Sequence, residues 1–394
     1  MRLLPWDYGV RNLLRRPLRT MLTALGLTLV VFLLLLVIGF MQGLDASLER
    51  SGEENVVMIH SVATPDNLEN SSISDQVPSL IKNELSTALL HHAGAPAISP
   101  ELVIATTVGE AAEGKPTALG LLRGVGIEVF SVRRKVAIID GHFPKSGEIL
   151  VGRLAAAKMG KPPEELATGK TIVIEGRSWT VSGHFAAPGT LLEAELWCAL
   201  DDLKQHAKRP NDISLVAMRL DPHGDRQKQQ GDLEYFCQFR HRDLEVAYSA
   251  ETEYYGSLLK HYQPLRALAW LMALLIACAG GCGAVNTMYA AVAGRVREFG
   301  ALQALGFQRR AIAASLLQES LLLAAFSTLL AAGLAVLLLQ GMAVRFTMGA
   351  FPLSVDREAL FVGCGAGLAL GVLGAIPPAF RAFRLPIADA LKAV

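Results

Sequence analysis

Along the 394-residue chain the apolar positions gather into four long runs, and the stretch between the first two follows the shorter periods of a folded domain. Residues 20–44, 267–294 and 359–380 carry no charged side chain, and 311–344 carries only Glu319. A helix rises ~1.5 Å per residue, so each run can cross ~30 Å of hydrocarbon. Between the first and second runs the pattern changes. "KVAIIDGHFP" and "KSGEILVG" predict strand, turn and strand; "TIVIEGRSWTVSGHF" predicts a hairpin about "EGRS"; "LAAAKMG" predicts a short helix stopped by its glycine. The predicted fold class is an α-helical membrane protein with four transmembrane helices plus a large α+β extracytoplasmic domain inserted between helices 1 and 2.

The same pattern gives boundaries. A basic segment, 1–19, precedes a first span at 20–44, and the inserted domain occupies 45–265 with helical stalks at 45–53 and 250–265. The second span covers 266–294, an amphipathic helix 295–312, the third span 313–344, a short loop 345–358, the fourth span 359–380 and a tail 381–394. On the second stalk Tyr254, Leu258 and Tyr262, and beside them Tyr255 and Leu259, recur at i, i+4 along one helix face. Such a stripe roots a domain and can also carry motion.

Composition agrees: 52% of the residues are hydrophobic, too many for an ordinary soluble protein. The first run is longer than the ~7–15 apolar residues of a signal peptide and reads as an uncleaved anchor. Charge sets the orientation. Arg2, Arg11, Arg15, Arg16 and Arg19 outnumber Asp7 before the first span. Arg295, Arg297, Arg309 and Arg310 outnumber Glu298 between the second and third, and Arg381, Arg384 and Lys392 outnumber Asp389 after the fourth. The positive-inside rule places both termini and the 295–310 segment in the cytoplasm and the inserted domain outside. A net charge of +1 implies no nucleic-acid partner. Cys198 and Cys237 can pair in an oxidising compartment, but two cysteines fix no framework.

A search for reaction chemistry finds little. "GEAAEGKPT", Gly109 to Thr117, has the spacing of a phosphate-binding loop, but Pro116 stands where a hydroxyl must hold magnesium. "ELATGKT" has Gly169, Lys170 and Thr171 but Glu164 for the leading glycine. The nine histidines, His91 and His92 among them, lack metal-ligand spacing, and no nucleophile elbow occurs. The expectation is no catalytic residue, no metal and no cofactor on this chain.

Three features remain. Glu319 lies within a span, where a lone charged acid costs ~2.5–3.5 kcal/mol at the bilayer centre, so a shallow or arginine-paired carboxylate is expected. Gly363, Gly367 and Gly371 on the fourth span, and Ala273, Ala277 and Gly281 on the second, recur every four residues. These small strips suit close helix packing, either within the chain or at a dimer seam that uses some of them. In "RVREFGALQALGFQRR" the apolar Val296, Phe299, Leu302 and Leu305 are spaced by three, which predicts an amphipathic surface helix. Gly300 and Gly306 weaken it; they allow close backbone approach, and Gly306 can also end the helix.

This segment resembles the join between the second and third spans of the MacB/FtsX-type permeases, the type VII ABC transporters. The match runs through Arg295, Arg297, Glu298, Gly300, Leu302, Ala304, Leu305, Gly306 and Glu319. "IPPAFRAFRLPIADALKAV" is similar to the family's carboxyl end at Pro378, Ala379, Ala382, Pro386, Ala390 and Leu391. The basic amino end and "LRGVGIEVFSVRRKVAIIDGHFPKSGEILVGRLAAAKMG" are similar as well.

The resemblance implies a stand-alone permease subunit in the bacterial inner membrane, working as a dimer with a second permease copy or paralogue. No ATPase is found within this sequence, so the resemblance requires a separate cytoplasmic ABC ATPase, itself a dimer, which holds ATP and Mg. Its docking set would be Arg295, Arg297, Glu298, Phe299, Gly300, Leu302, Ala304, Leu305, Gly306, Arg309 and Arg310. The implied work is mechanotransmission to the periplasmic domain, driving export through a membrane-fusion adaptor and an outer-membrane channel. Extraction of lipoproteins, or control of a cell-wall hydrolase without translocation, is the alternative. Membrane lipids are the remaining partner.

Overall fold

The computed structural model describes residues 11, 13–15, 17–109, 118–346 and 349–384. Arg2, Asp7, Arg16, most of the Gly109–Thr117 segment, and Pro386, Asp389, Ala390, Leu391 and Lys392 lie outside them. The chain divides into two compact units, one formed by 1–42, 264–342 and 353–394 and the other by 43–263 and 343–352.

The helices that matter here are α1 (Pro17–Ser51), α2 (Glu251–His261), α3 (Gln263–Ala293), α4 (Val296–Ala304), α5 (Arg309–Leu339) and α6 (Arg357–Arg384). Among the described residues, α1, α3, α5 and α6 are the helices long and apolar enough to cross a membrane. At 35 residues α1 measures ~52 Å, which exceeds the hydrocarbon thickness, so one continuous helix runs on into the stretch read as the first stalk. The second stalk differs from the single rod that its spacing predicts. Helix α2 ends at His261, and a separate helix begins at Gln263.

Within the first unit the small residues are used inside one chain. A Cβ on Gly363 would stand 2.3 Å from Leu35 Cδ2, one on Gly367 2.4 Å from Thr328 Oγ1, and one on Gly371 2.3 Å from the Ala324 Cβ. The strip on α6 is therefore filled by α1 and α5. Ala273 is buried and Ala277 half-buried in the cluster built on Leu27, Val31 and Leu35, and Gly281 faces Leu370. These six residues thus take part in close helix packing within the chain. In lipid, helices gain nothing from hiding apolar surface from one another, so close backbone approach is what the glycines supply.

The second unit is built on a ten-stranded mixed sheet. Its strands in chain order are β1 (Val56–Ser61), β2 (Ile98–Val108), β3 (Ala118–Val125), β4 (Ala137–Gly141), β5 (Glu148–Gly152), β6 (Thr171–Ile174), β7 (Arg177–Ala186), β8 (Leu196–Ala199), β9 (Leu215–Arg219) and β10 (Val246–Ala250). They lie in the order β10, β1, β9, β2, β3, β8, β5, β7, β4, with β6 pairing β7 and β2. The long strand β2 joins the two halves, pairing β9 through Ile98–Glu101 and β3 through Leu102–Val108. One core gathers on Ile59, Ile81, Val216 and Phe236, and a second on Leu122, Ile149, Trp179 and Leu196.

Local expectations hold where a turn fixes them. β6 and β7 form a hairpin through Glu175 at φ 47° and Gly176 at φ 79°, the two left-handed positions of a tight turn. The helix Ala155–Met159 ends on Gly160 at φ 63°. The strands read from "KVAIIDGHFP" and "KSGEILVG" exist but do not pair with each other. β7 lies between them, antiparallel to β4 and parallel to β5.

The segment read as the short loop between the third and fourth spans departs from expectation. Its strands Ala343–Phe346 and Gly349–Pro352 pair antiparallel and belong to the second unit. Lys158 Nζ donates to the Phe346 carbonyl at 2.5 Å, the Phe346 ring meets Tyr262 edge-on at 5.7 Å, and Phe351 is fully buried.

Candidate functional site

Helix α4 follows α3 after two residues, and Arg295 occupies its N-cap. Glu298 sits in the first turn, where the helix dipole favours a carboxylate, and accepts from Arg295 Nε at 3.1 Å. The helix is stopped by Gly306 at φ 91°. Gly306 N donates to the Gln303 carbonyl and Phe307 N to the Leu302 carbonyl, the pair of bonds that a left-handed glycine allows. The amphipathic helix thus ends at Ala304, and Arg309 and Arg310 open α5.

The apolar face is not the one that a spacing of three predicts. Phe299 is buried with Val292, Ile312, Ala313, Leu316 and Ala379, and Leu302 and Phe307 pack against that cluster. Leu305 is 73% exposed. The turn at Gly306 replaces Leu305 by Phe307 on the inner side, which a straight helical repeat cannot anticipate. Of the proposed docking residues, Arg297, Glu298, Ala304, Leu305, Gly306, Arg309 and Arg310 are exposed. Arg295, Phe299 and Gly300 are buried and are the members of that set that turn inward.

Arg295 is spent inward. Its Nη1 donates to Glu319 Oε2 at 2.8 Å, and its guanidinium carbon lies 5.2 Å from the Phe299 ring centre. The side chains of Arg295 and Glu319 are 5% and 12% exposed. The acid within the third span is therefore paired rather than alone.

The second unit holds a larger set of buried charges, which the sequence reading missed. Glu101 on β2 accepts from Arg123 Nη1 at 2.5 Å and from Arg133 Nε and Nη2, each at 3.1 Å. Arg123 on β3 also donates to both oxygens of Glu195 at 2.6 Å. Arg133 Nη1 donates to Glu251, the first residue of α2, and Glu251 Oε2 accepts from Glu53 N at 3.0 Å. The Glu53 carboxylate in turn accepts from Arg219 Nη2 on β9 and, at 3.2 Å, from Lys135 N. Just before it, at the end of α1, Ser51 Oγ accepts from Leu191 N at 2.8 Å.

This chain of contacts carries the ends of both stalks into the sheet's interior. Burial alone would raise the Glu101 carboxyl, but Arg133 and Arg123 outweigh it and hold it below its ordinary value. Burial pushes the Tyr254 hydroxyl up to about 12, and Tyr255 higher still. Both are buried with Leu258, whereas Leu259 and Tyr262 are half-buried. The visible signal for this network was charge inside strands, Glu101 in "SPELVI" and Arg123 in "LLRGV".

Other candidates resolve simply. Cys198 and Cys237 are free, buried and in different cores, so no disulfide joins them. A strand, not a helix, follows Gly169. Among the described residues no group of histidine, cysteine and carboxylate side chains is placed to hold a metal.

Four helices long and apolar enough to span a membrane, with a mixed-sheet domain inserted after the first, are the architecture of a multi-pass membrane protein. Residues 20–234, more than half the chain, match the MacB-like periplasmic core domain, and residues 270–387 match the FtsX-like permease C-terminal family. The chain belongs to the FtsX/MacB-like ABC transporter permeases, multi-pass inner-membrane proteins with a periplasmic domain, and this membership implies an ABC ATPase partner.

No curated protein matches the chain. Among solved structures, the periplasmic region of MacB from Actinobacillus actinomycetemcomitans is similar at 11% identity, covering 53% of this chain and 94% of its own with a TM-score of 0.39. The extracellular domain of the noncanonic ABC-type transporter YknZ from Gram-positive bacteria is similar at 13% identity, with coverages of 50% and 100% and a TM-score of 0.36. Scores this low add nothing to the family match.

Proposed function

We propose that the chain is the membrane subunit through which a separate cytoplasmic ABC ATPase moves a periplasmic domain. In this reading the termini and α4 face the cytoplasm, and ATP and magnesium stay on the partner. The ATPase seats the exposed side of α4 and its turn, with Leu305 as the apolar knob and Arg297, Arg309 and Arg310 around it. Two permease copies act on an ATPase dimer, and the moving domains drive export through an adaptor and an outer-membrane channel.

One observation carries this reading. The segments that lead from the spans into the domain, the end of α1 with Glu53, α2 from Glu251, and the strand pair within 343–352, are fixed by buried ion pairs and backbone bonds. Removing charges from water is costly. A domain that merely hung from the membrane would need only flexible linkers.

The test is purification of the full chain in mild detergent with its companions identified, for the wild type and Leu305→Glu. Gly306 is left intact because its φ of 91° would strain any other residue. The wild type is expected to bring down an ATPase, and Leu305→Glu to lose it by about tenfold or more, as truncating a central apolar anchor does. Equal recovery of the ATPase with Leu305→Glu refutes the docking role. Recovery of a cell-wall hydrolase or a lipoprotein carrier, in place of an adaptor and channel, overturns the export reading.

A further inference from the structure

The clustering of Arg295, Glu298, Phe299 and Glu319 at the root of α4 is more than a charge neutralised. Arg295 is the residue at which the chain turns from α3 into α4, and its guanidinium touches both the first turn of α4 and the body of α5. Buried ion pairs are seldom the most stable filling of such a site, since apolar residues of similar size often do as well or better; their best-attested use is to fix register. Here the apolar cluster around Phe299 already holds α4 in place. The ion pair adds direction, because a bond from one nitrogen to one carboxylate oxygen fixes rotation and slide where methyl contacts do not.

Beside the pair lies a cavity of about 60 Å³, lined among others by Arg19, Thr20, Thr287, Arg295, Glu319 and Ser320. The hydroxyls of Thr287 and Ser320 donate to backbone carbonyls, and a hydroxyl oxygen that donates its hydrogen can also accept one. A space of this size with charged and hydroxyl groups in its wall, beside Leu13, Met288 and Leu323, has room and partners for water, so the pair can shift without leaving a bare charge in a dry interior.

We propose that Arg295 and Glu319 are positioning residues: they lock the attitude of α4 against the third span, so that a push on the exposed turn moves the span instead of swivelling the helix. This rests on the docking reading above. It assigns Arg295 and Glu319 a role distinct from contact with the ATPase.

The test uses the full chain with its ATPase in nanodiscs and four variants: Glu319→Gln, Arg295→Gln, the exchange Arg295→Glu with Glu319→Arg, and the apolar pair Arg295→Met with Glu319→Met. Three quantities are read: affinity for the ATPase, turnover of ATP by the assembled complex, and the spin-label distance between Ala301→Cys on α4 and Leu321→Cys on α5. Both single variants are expected to broaden the distance distribution and lower complex turnover by about tenfold, within the usual range of coupling effects, while affinity stays within about twofold.

The exchange is expected to restore both readouts. The apolar pair is expected to keep or raise thermal stability yet leave turnover low, which separates positioning from mere structure. Full turnover in the apolar pair overturns the proposal, as does an unbroadened distance distribution in the single variants. If the exchange fails to fold, the apolar pair still decides. If no ATPase accompanies the wild type, the docking reading has failed on its own, and the spin-label distances alone then judge the lock between α4 and α5.

Discussion

Replacing Arg133 by methionine should uncouple the second stalk from the sheet. The side chain is fully buried and makes three hydrogen bonds, two to Glu101 and one to Glu251. After Arg133→Met, Glu101 keeps Arg123 as its cation, and Glu251 keeps only the Glu53 N–H among these partners. Breaking one side of a buried pair costs ~3–5 kcal/mol, mostly because the remaining charge stays desolvated. For a domain of this size each kcal/mol is worth ~2–4 °C, so the expected fall in Tm is ~6–20 °C.

The assay is thermal unfolding of the full chain in detergent, followed by tryptophan emission, to which the buried Trp179 and Trp197 contribute. A second arm tests the connection itself. Glu251→Gln alone should also destabilise, and the double variant should cost less than the sum by ~0.5–3 kcal/mol, because the second change removes the charge that the first left stranded. A shift below ~2 °C for Arg133→Met, or strict additivity in the double variant, would refute the view that these charges form one connected joint.

Acid should weaken the same joint. Glu101 is held below its ordinary value of 4.5, so its contribution is present above that value and is lost as pH falls through the lower folded value. An acid titration of Tm should therefore fall less steeply in Arg133→Met, and identical profiles would contradict this. In the first unit, Gly367→Leu must displace Thr328 and Val31, so a loss of ~1–3 kcal/mol is expected in a detergent melting assay, with an unchanged midpoint as the contrary result. Burial raises the Cys237 thiol to about 12 and the Cys198 thiol further. Both should resist a water-soluble maleimide in the native chain and react after denaturation, and labelling of either without unfolding would show that its core opens.

Much of the architecture was legible because long apolar runs leave little choice. A stretch such as 20–44 must hide its backbone polar groups inside a helix, and any bilayer-crossing helix needs about this length. Single turns were legible for a similar reason. Gly160, Gly176 and Gly306 adopt left-handed backbone that other residues enter at a cost, so each marks a stop without reference to the rest of the chain. The resemblance to the permease family rested on this same local material.

What needed the tertiary structure were the partners of residues far apart in the chain. Local periodicity placed Leu305 on one apolar face with Phe299 and Leu302, but the path beyond Gly306 brings Phe307 against that cluster and leaves Leu305 exposed. The glycine strip on α6 predicts a close neighbour without saying which, and the neighbours are α1 and α5. β4 and β5 read as consecutive strands, yet β7 comes between them from about forty residues further along. Glu53, Glu101, Arg133, Arg219 and Glu251 carried no motif at all; each is an ordinary surface residue until the fold removes its water and sets opposite charges beside it. Sequence determined which segments could enter a bilayer and where the backbone had to bend, because those are properties of a few neighbouring residues. Tertiary structure alone decided which charges meet, because an ion pair depends on distance in space and on the exclusion of solvent, and neither is written at any one position.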